Sequence, residues 1–232
     1  MKFITAVRFF DNISYVVTFE QTDPFYVLDL SNPEQPKVLG EFEVTGFSEF
    51  MHPIKEDNSM LLTVGQNADE TGMITGFQVS IFNSTNPTDP KLVDRLVIGD
   101  ENGHTSSAST WDAKSFRYIQ VDEVGLVIIP LRSYNWETNL NFDGFAVFDI
   151  DLNASESIIK REILINHEYE SDSQGCYCYS NTYLPGRSFV FDGKLMTLKN
   201  QVVVSTELVS PEYETQWTHS FIDPSEDCCN HW

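Results

Sequence analysis

One six-residue pattern occurs twice: Asn32-Pro33-Glu34-Gln35-Pro36-Lys37 and Asn86-Pro87-Thr88-Asp89-Pro90-Lys91 share Asn-Pro-x-x-Pro-Lys at a separation of 54 residues. Two prolines in each copy forbid a helix and supply no ladder donors, so each pattern must be a loop between strands. The flanks agree. Apolar runs precede the loops (Phe25 to Leu30, Phe77 to Phe82) and follow them (Val38 to Val44, Leu92 to Ile98). A second signal recurs with the first, an acidic turn ahead of an apolar strand: Asp11-Asn12, Asp57-Asn58, Asp122-Glu123 and Asp192-Gly193. Asp, Asn and Gly tolerate positive φ and suit tight hairpins.

Together the two signals define a unit of strand, acidic turn, strand, loop, strand, loop, strand, which is a four-stranded antiparallel meander. The third unit keeps its last strands (Phe145 to Ile150, Ile158 to Ile165) without the proline loop, and the fourth reaches only its third strand, Val202 to Leu208. Units of roughly 45 to 70 residues fit a divergent β-propeller, whose blades run near ~40 to 50 with loop insertions. The predicted fold is therefore all-β: a propeller of four-stranded blades, three complete and one partial, over residues 1–208, with a polar Cys-containing tail at 209–232. The short fourth unit favours a piece of a larger propeller; missing blades or another chain would close the ring. A sandwich of stacked hairpins is the structural alternative.

Charge narrows the partners. The chain of 232 residues carries 35 Asp and Glu against 14 Lys and Arg, a formal net charge of −21, and phosphate backbones are bound by the opposite balance. Nucleic acid is excluded as the expected partner. The longest apolar run, Gly125 to Leu131, is a strand's length and far from the roughly 20 residues of a membrane span. The opening Met1 to Phe10 has no long apolar region or small-residue cleavage site and reads as a strand rather than a signal peptide.

The run from Tyr15 to Pro33, continued by Pro36 to Glu41, His52-Pro53-Ile54, Ala68-Asp69-Glu70 and Thr75-Gly76, resembles secreted bacterial and archaeal proteins with a C-terminal β-propeller distantly related to WD-40 repeats. The resemblance is densest from Ala6 to Leu131 and implies a propeller, export to an extracellular location, and a longer parent with upstream blades. It implies no settled activity. Trp111-Asp112-Ala113-Lys114-Ser115-Phe116 has Ala113 where a His is expected in similar proteins.

Catalytic signatures are sparse. Neither G-x-S-x-G, H-E-x-x-H nor C-x-x-C occurs, and His167-Glu168 is half a zinc motif. Each predicted inner strand instead carries a basic residue ahead of its acidic turn: Arg8, His52, Lys114 and Arg187. With Asp112 these form a candidate channel site for an anion or an acidic side chain. The alternative is that Arg8 and Arg187 bond neighbouring blades and His52 is a core residue. Parity counts against Lys114, which needs a bulge to face the same way as the others. Asn67, Asp69 and Thr71 alternate before Gly72 like the start of a calcium loop, although Gln78 stands where a bidentate Glu would finish it; a plain polar hairpin tip is the competing reading. Cys176, Cys178, Cys228 and Cys229 suit two cross-bridges in an oxidising compartment, or a four-thiolate zinc site. Asn12, Asn83 and Asn153 open glycosylation triplets that arise this often by chance.

The sequence thus favours a non-catalytic extracellular binding module, for a protein or carbohydrate ligand, with no cofactor beyond possible calcium. The long loops Gly99 to Trp111 and Asn166 to Asn181 are its expected surface. The alternatives are a propeller-type hydrolase with channel-mouth carboxylates and a truncated gene product.

Overall fold

The computed structural model describes residues 3–19, 23–121, 123–154, 158–167, 185–199, 201–208 and 215–220. Among these residues there are seventeen strands, one short 3-10 turn and no α-helix. The first sheet is β1 (Phe3–Phe10), β2 (Ile13–Phe19), β3 (Asp23–Asp29) and β4 (Lys37–Val44); the second is β5 (Phe47–Pro53), β6 (Met60–Ala68), β7 (Ile74–Asn83) and β8 (Lys91–Ile98). A short β9 (Gly103–Ser106) precedes the third, β10 (Arg117–Val121), β11 (Val124–Asn135), β12 (Leu140–Ile150) and β13 (Ile159–Asn166). The fourth is β14 (Arg187–Phe191), β15 (Lys194–Lys199), β16 (Val202–Glu207) and β17 (Thr215–Ser220). Within each sheet the four strands lie side by side in chain order and run antiparallel. The fold is a propeller-like series of four blades.

One boundary moves. Thr215–Ser220, assigned from sequence to the tail, pairs with β16 and is the outermost strand of the fourth blade, which is therefore complete. The polar stretch after Leu208 hid it because Thr215 to Ser220 lacks the apolar alternation of the earlier outer strands.

The turns obey the local chemistry. Asp11, Asn58 and Asp192 have φ of 48°, 56° and 51°, and Gly193 follows at 71°, the left-handed region those residue types tolerate. Val121 pairs with Val124 to close the third hairpin; Asp122 lies outside the described residues. The proline loops are repeats at atomic detail. The Asn32 and Asn86 side chains accept the amides of Glu34 and Thr88, and the carbonyls of the same two residues accept those of Gln35 and Asp89. Asp151 repeats the pattern in the third blade, accepting from Asn153 with Ala154 closing the turn, so the loop persists after its prolines are gone.

Pro130 marks an edge. It sits in β11 between the part paired with β10, which ends at Ile128, and the part paired with β9, which begins at Arg132. A residue without an N–H is tolerated where the strand has no neighbour on that side, and its carbonyl accepts the Ser107 hydroxyl.

Three apolar layers lie between the blades. Tyr15, Val17, Phe25 and Val27 meet Met51, Leu61 and Phe82, with the Phe25 and Phe82 rings stacked at 4.7 Å and 3°. Leu62, Val64 and Val79 meet Val127, Ile129 and Phe148. Leu126, Ile128 and Val147 meet Leu195, Val202 and Val204. Blades two and three therefore bury both faces, which explains strands such as Met60–Ala68 that are apolar at consecutive positions.

Polar contacts fix how the blades sit. Asp94 of β8 accepts the amides of Ile158 and Ile159 on one carboxylate oxygen, at 2.7 and 2.8 Å, and that of Arg95 on the other. Asp94→Ala leaves two part-buried donors without this acceptor, a loss of about 2–3 kcal/mol. Urea unfolding should show that drop, and Asp94→Asn, which keeps an acceptor oxygen, should recover part of it.

Candidate functional site

The first strands of adjacent blades are neighbours. Thr5 donates to the Ser48 carbonyl at 3.0 Å and Arg8 Nε to that of Met51 at 2.8 Å. Between blades three and four Ser115 donates to the Gly186 carbonyl at 3.0 Å and Arg117 Nε to that of Ser188 at 2.7 Å. Side chains thus join the first strands of blades one and two and of blades three and four.

On and beside these strands the sequence-assigned residues divide into separate pairs. Arg8 lies over the Phe50 ring at 4.6 Å. The His52 ring packs 5.2 Å from Phe116 and 5.6 Å from Tyr118. Burial, and then the charge of Arg8, push the His52 imidazole below its ordinary pKa. Arg187 pairs with Asp112 at 2.8 Å and donates to Ser115 at 2.9 Å. Asp112 titrates below the usual carboxylate range: desolvation opposes this, and the amide of Lys114, the Arg187 guanidinium and Ser115 outweigh it.

Lys114 and Asp112 require correction, because neither is on an inner strand. Ser107 caps a 3-10 turn over Ala108–Thr110, the Asp112 and Ser115 backbones close a further turn, and the strand begins only at Arg117. The Lys114 side chain is exposed. Arg117 takes the place assigned to Lys114. The signal for it was available: Arg117, Ile119 and Val121 alternate up to the turn, whereas Trp111 to Phe116 do not.

Strand order fixes what shares an end of the blades. The second-to-third-strand turns (69–73, 136–139) and the blade-to-blade connections (45–46, 99–116) all lie where the inner strands start. Asn67, Asp69 and Thr71 are here. The Asp69 carboxylate accepts the Thr71 amide and hydroxyl and the Met73 amide, and Asn67 donates to Thr75 at 2.6 Å. These donors hold Asp69 below its usual pKa, the Thr71 hydroxyl foremost. The tip is organised by its own hydrogen bonds, and among the described residues no three His, Cys, Asp or Glu converge.

At the same end β11 and β12 extend past the blade and β9 adds to them. Asn135 donates to both oxygens of Asp100, at 3.2 Å each, and the Trp136 amide to Asn102. This braced projection carries exposed Tyr134 and Trp136, and Trp111 is exposed on the connection that follows β9.

Sequence reasoning also missed Glu49. It is the extra residue of a bulge in β5, between Ser48 and Phe50, close beneath the connection at Thr45 and Gly46. Gly65 permits this approach, since a Cβ there would overlap the Phe47 carbonyl. Burial raises the Glu49 pKa against a hydrogen bond with Gln66 that lowers it. Bulges that re-aim a side chain and carboxyls shifted upward are both features of functional sites. The visible clue was a Glu interrupting the apolar strand Phe47–Pro53.

His167 is committed elsewhere. It is buried between the carbonyls of Ile165 and Thr197, at 3.1 and 3.2 Å, and serves the packing of blades three and four. Glu168 and the four cysteines, Cys176, Cys178, Cys228 and Cys229, lie outside the described residues.

A family model described as a β-propeller domain matches residues 2–210. The chain belongs to that family. Two archaeal relatives of this propeller, each described as an uncharacterized protein, come from Archaeoglobus fulgidus (44% identical over 95 residues) and Methanocaldococcus jannaschii (41% over 95). In both cases the match covers 41% of this chain and only 14% of the relative. A crystal structure of a functionally unknown protein from Desulfotomaculum acetoxidans aligns over 95% of this chain and 72% of its own, at 11% identity and a TM-score of 0.34.

The Glu49 shift has a thermodynamic sign. A carboxyl whose folded pKa is raised stabilises the propeller most below its unfolded pKa and loses that contribution as pH rises through the folded value. Glu49→Gln, neutral at every pH, should therefore raise the melting temperature at pH 7. The advantage over wild type should shrink to nothing as pH falls towards ~4. Calorimetry across that range checks it, and an equal shift at both ends would remove Glu49 as the cause.

Proposed function

We propose that this propeller is a non-catalytic, extracellular binding module, and that its ligand is a carbohydrate taken on the loop face carrying Trp111, Tyr134 and Trp136. The observation that carries the reading is the braced β9–β11–β12 projection. Flat aromatic rings stand exposed on a hairpin whose position is fixed by Asn135, Asp100 and Asn102. Exposed aromatics cost solubility unless something covers them, and aromatics that offer large contact area for little lost freedom are enriched at binding surfaces. Sugars present apolar ring faces for such stacking and hydroxyls for neighbouring amides and carboxylates. The net charge of −21 directs the choice to neutral or cationic glycans rather than anionic ones.

A hydrolase is the second reading, and one observation favours it. Glu49 is raised and Asp112 is lowered at the same end of the blades, the split between acid and base that glycoside hydrolysis uses. Asp112 is engaged by Arg187 and Ser115, which suits a structural ion pair better than a nucleophile.

Screening an array of neutral glycans, followed by titration calorimetry, tests the proposal. Trp136→Ala should weaken binding about tenfold or more, the scale of a lost aromatic anchor, with an unchanged melting temperature. Reducing-end release that Glu49→Gln abolishes would transfer the assignment to the hydrolase. No glycan bound, or binding indifferent to Trp111 and Trp136, would end the carbohydrate reading.

A further inference from the structure

Carboxylates withdrawn from water are ordinarily matched by donors, and several in this fold are. Asp94 accepts three backbone amides, Asp112 faces Arg187 and Ser115, and Asp143 is paired with Lys199. Glu49 differs. Its Oε2 is buried without a hydrogen bond, no charged neighbour shapes its titration, and the group that hydrogen-bonds with it is the Gln66 side chain. Gln66 Oε1 is likewise buried and unbonded. Two acceptor oxygens, one of them on a carboxylate, thus lie one amide group apart with no donor to meet them among the described residues.

The surroundings explain why none arrives. Glu49 is the extra residue of the β5 bulge, beside Phe50, which pairs with Val64; Gln66 follows Val64 by two positions and shares its face. That face is turned to blade three, where Phe50 packs on Phe116. The segment from Ser107 to Trp111 crosses here, and its 3-10 turn packs on β5, β6 and β11. Its donors are already committed. Ser107 donates to the Pro130 carbonyl, Ser109 bonds Ser107, Thr110 donates to the Ser107 carbonyl, and the Trp111 amide donates to Ala108. The Trp111 ring, at the end of this turn, is exposed to solvent.

The number and kind of the open acceptors select the group that fits them. Calcium takes about six to eight oxygens, far more than converge here. A guanidinium asks for both oxygens of one carboxylate, and one of these is engaged by the Gln66 amide. A sugar hydroxyl brings one donor and no charge, and water brings donors without charge. An ammonium group brings three donors and the missing positive charge. A carboxylate left without a counter-charge also costs stability, the shortfall that Glu49→Gln should relieve, and a residue that lowers stability while unpaired in the free protein has the character of a binding residue.

We infer that Glu49 and Gln66 form a subsite for a protonated primary amine, and that the ligand is an amino-sugar oligomer with one ring stacked on Trp111 and one ammonium group donating to Glu49 Oε2 and Gln66 Oε1. The inference rests on the carbohydrate reading above and narrows it to glycans with free amino groups. Two scales of attraction then act together. The net charge of −21 draws a cationic glycan towards the surface, and the Glu49–Gln66 pair supplies the contact that holds one amine in place.

Titration calorimetry on the full chain decides it, with a glucosamine oligomer and its fully N-acetylated counterpart in mildly acidic buffer, where the free sugar amines carry their protons. The glucosamine oligomer should bind about tenfold or more tighter, the scale of a charge-assisted hydrogen bond. Glu49→Gln should erase that preference, and Gln66→Leu, which keeps the charge, should reduce it several-fold. Glu34→Gln removes the same charge from an exposed proline loop at the opposite end of the blades and should preserve it. A preference lost equally in Glu34→Gln would assign it to net charge and overturn the subsite. Equal affinity for the two oligomers, with binding lost in Trp136→Ala, would overturn the subsite and leave the carbohydrate reading intact. Binding of neither would overturn both, as would Glu49-dependent binding of a lysine-rich peptide in place of either oligomer, which would make the ligand a protein.

Discussion

Face-to-face stacking of one meander on the next is the constraint from which the rest of this fold follows. No sheet here encloses a core of its own. Each of the three apolar layers is shared by two blades, so a single blade removed from its neighbours would expose a whole face of Phe, Val, Ile and Leu. Stability is therefore a sum over interfaces rather than over blades, as in other repeat folds. This accounts for the composition of the strands. Where both sides are covered, apolar residues or small hydroxyl residues occupy consecutive positions, as in Leu61-Leu62-Thr63-Val64, all buried; where only one side is packed against a blade among the described residues, as in β1 and β14, the strand is only half buried.

Stacking alone would allow blades to slide, and the polar contacts prevent it. The inner strands are sheet edges, with backbone groups turned away from the blade. Arg8 and Arg117 satisfy such carbonyls on the following blade, and Asp94 does the converse at the rim by accepting two amides of the next blade's outer segment. Lys199 bonds with Asp143 across blades three and four and donates to the Leu131 carbonyl. Each contact joins a side chain with directional geometry to backbone whose position the sheet has already fixed, so register between blades is set at the axis and the rim together.

Much of this was legible because loops and turns are local. Asn-Pro-x-x-Pro-Lys could only be a loop, and Asp11, Asn58 and Asp192 are residues that accept positive φ. What the sequence obscured was non-local or broke the alternation. Lys114 and Asp112 were read onto an inner strand because Trp111 and Phe116 look like strand residues. Their backbone is instead taken by the Ser107-capped turn, and only the register with β11 reveals that β10 starts at Arg117. Thr215–Ser220 was lost in a polar tail because it is a rim strand whose pairing with β16, rather than burial, defines it. Glu49 was passed over because a Glu inside Phe47–Pro53 also reads as an ordinary solvent-facing strand residue, and the bulge that re-aims it shows only in the register with β6; its surroundings are set by Gly65 and Gln66 across the sheet.

The assignment of cations to clamps also alters how the charge should be read. Of 14 Lys and Arg against 35 Asp and Glu, Arg8, Arg95, Arg117, Arg187 and Lys199 are turned to carbonyls, hydroxyls or carboxylates of the protein. Those charges are partly buried, and the desolvation that lowers the pKa of Arg8, Arg95 and Lys199 measures how far they are withdrawn from water. The surface a ligand meets is consequently more acidic than the formal balance. A basic channel ring in an acidic protein is appealing on paper, but guanidinium groups already bonded to blade backbones have little capacity left for a free anion, and the surrounding carboxylates repel one. For the neutral glycan of the proposed reading, attraction to this surface comes from aromatic rings and hydrogen bonding, which is why that reading rests on the exposed tryptophans of the braced projection and not on the arginines of the inner strands.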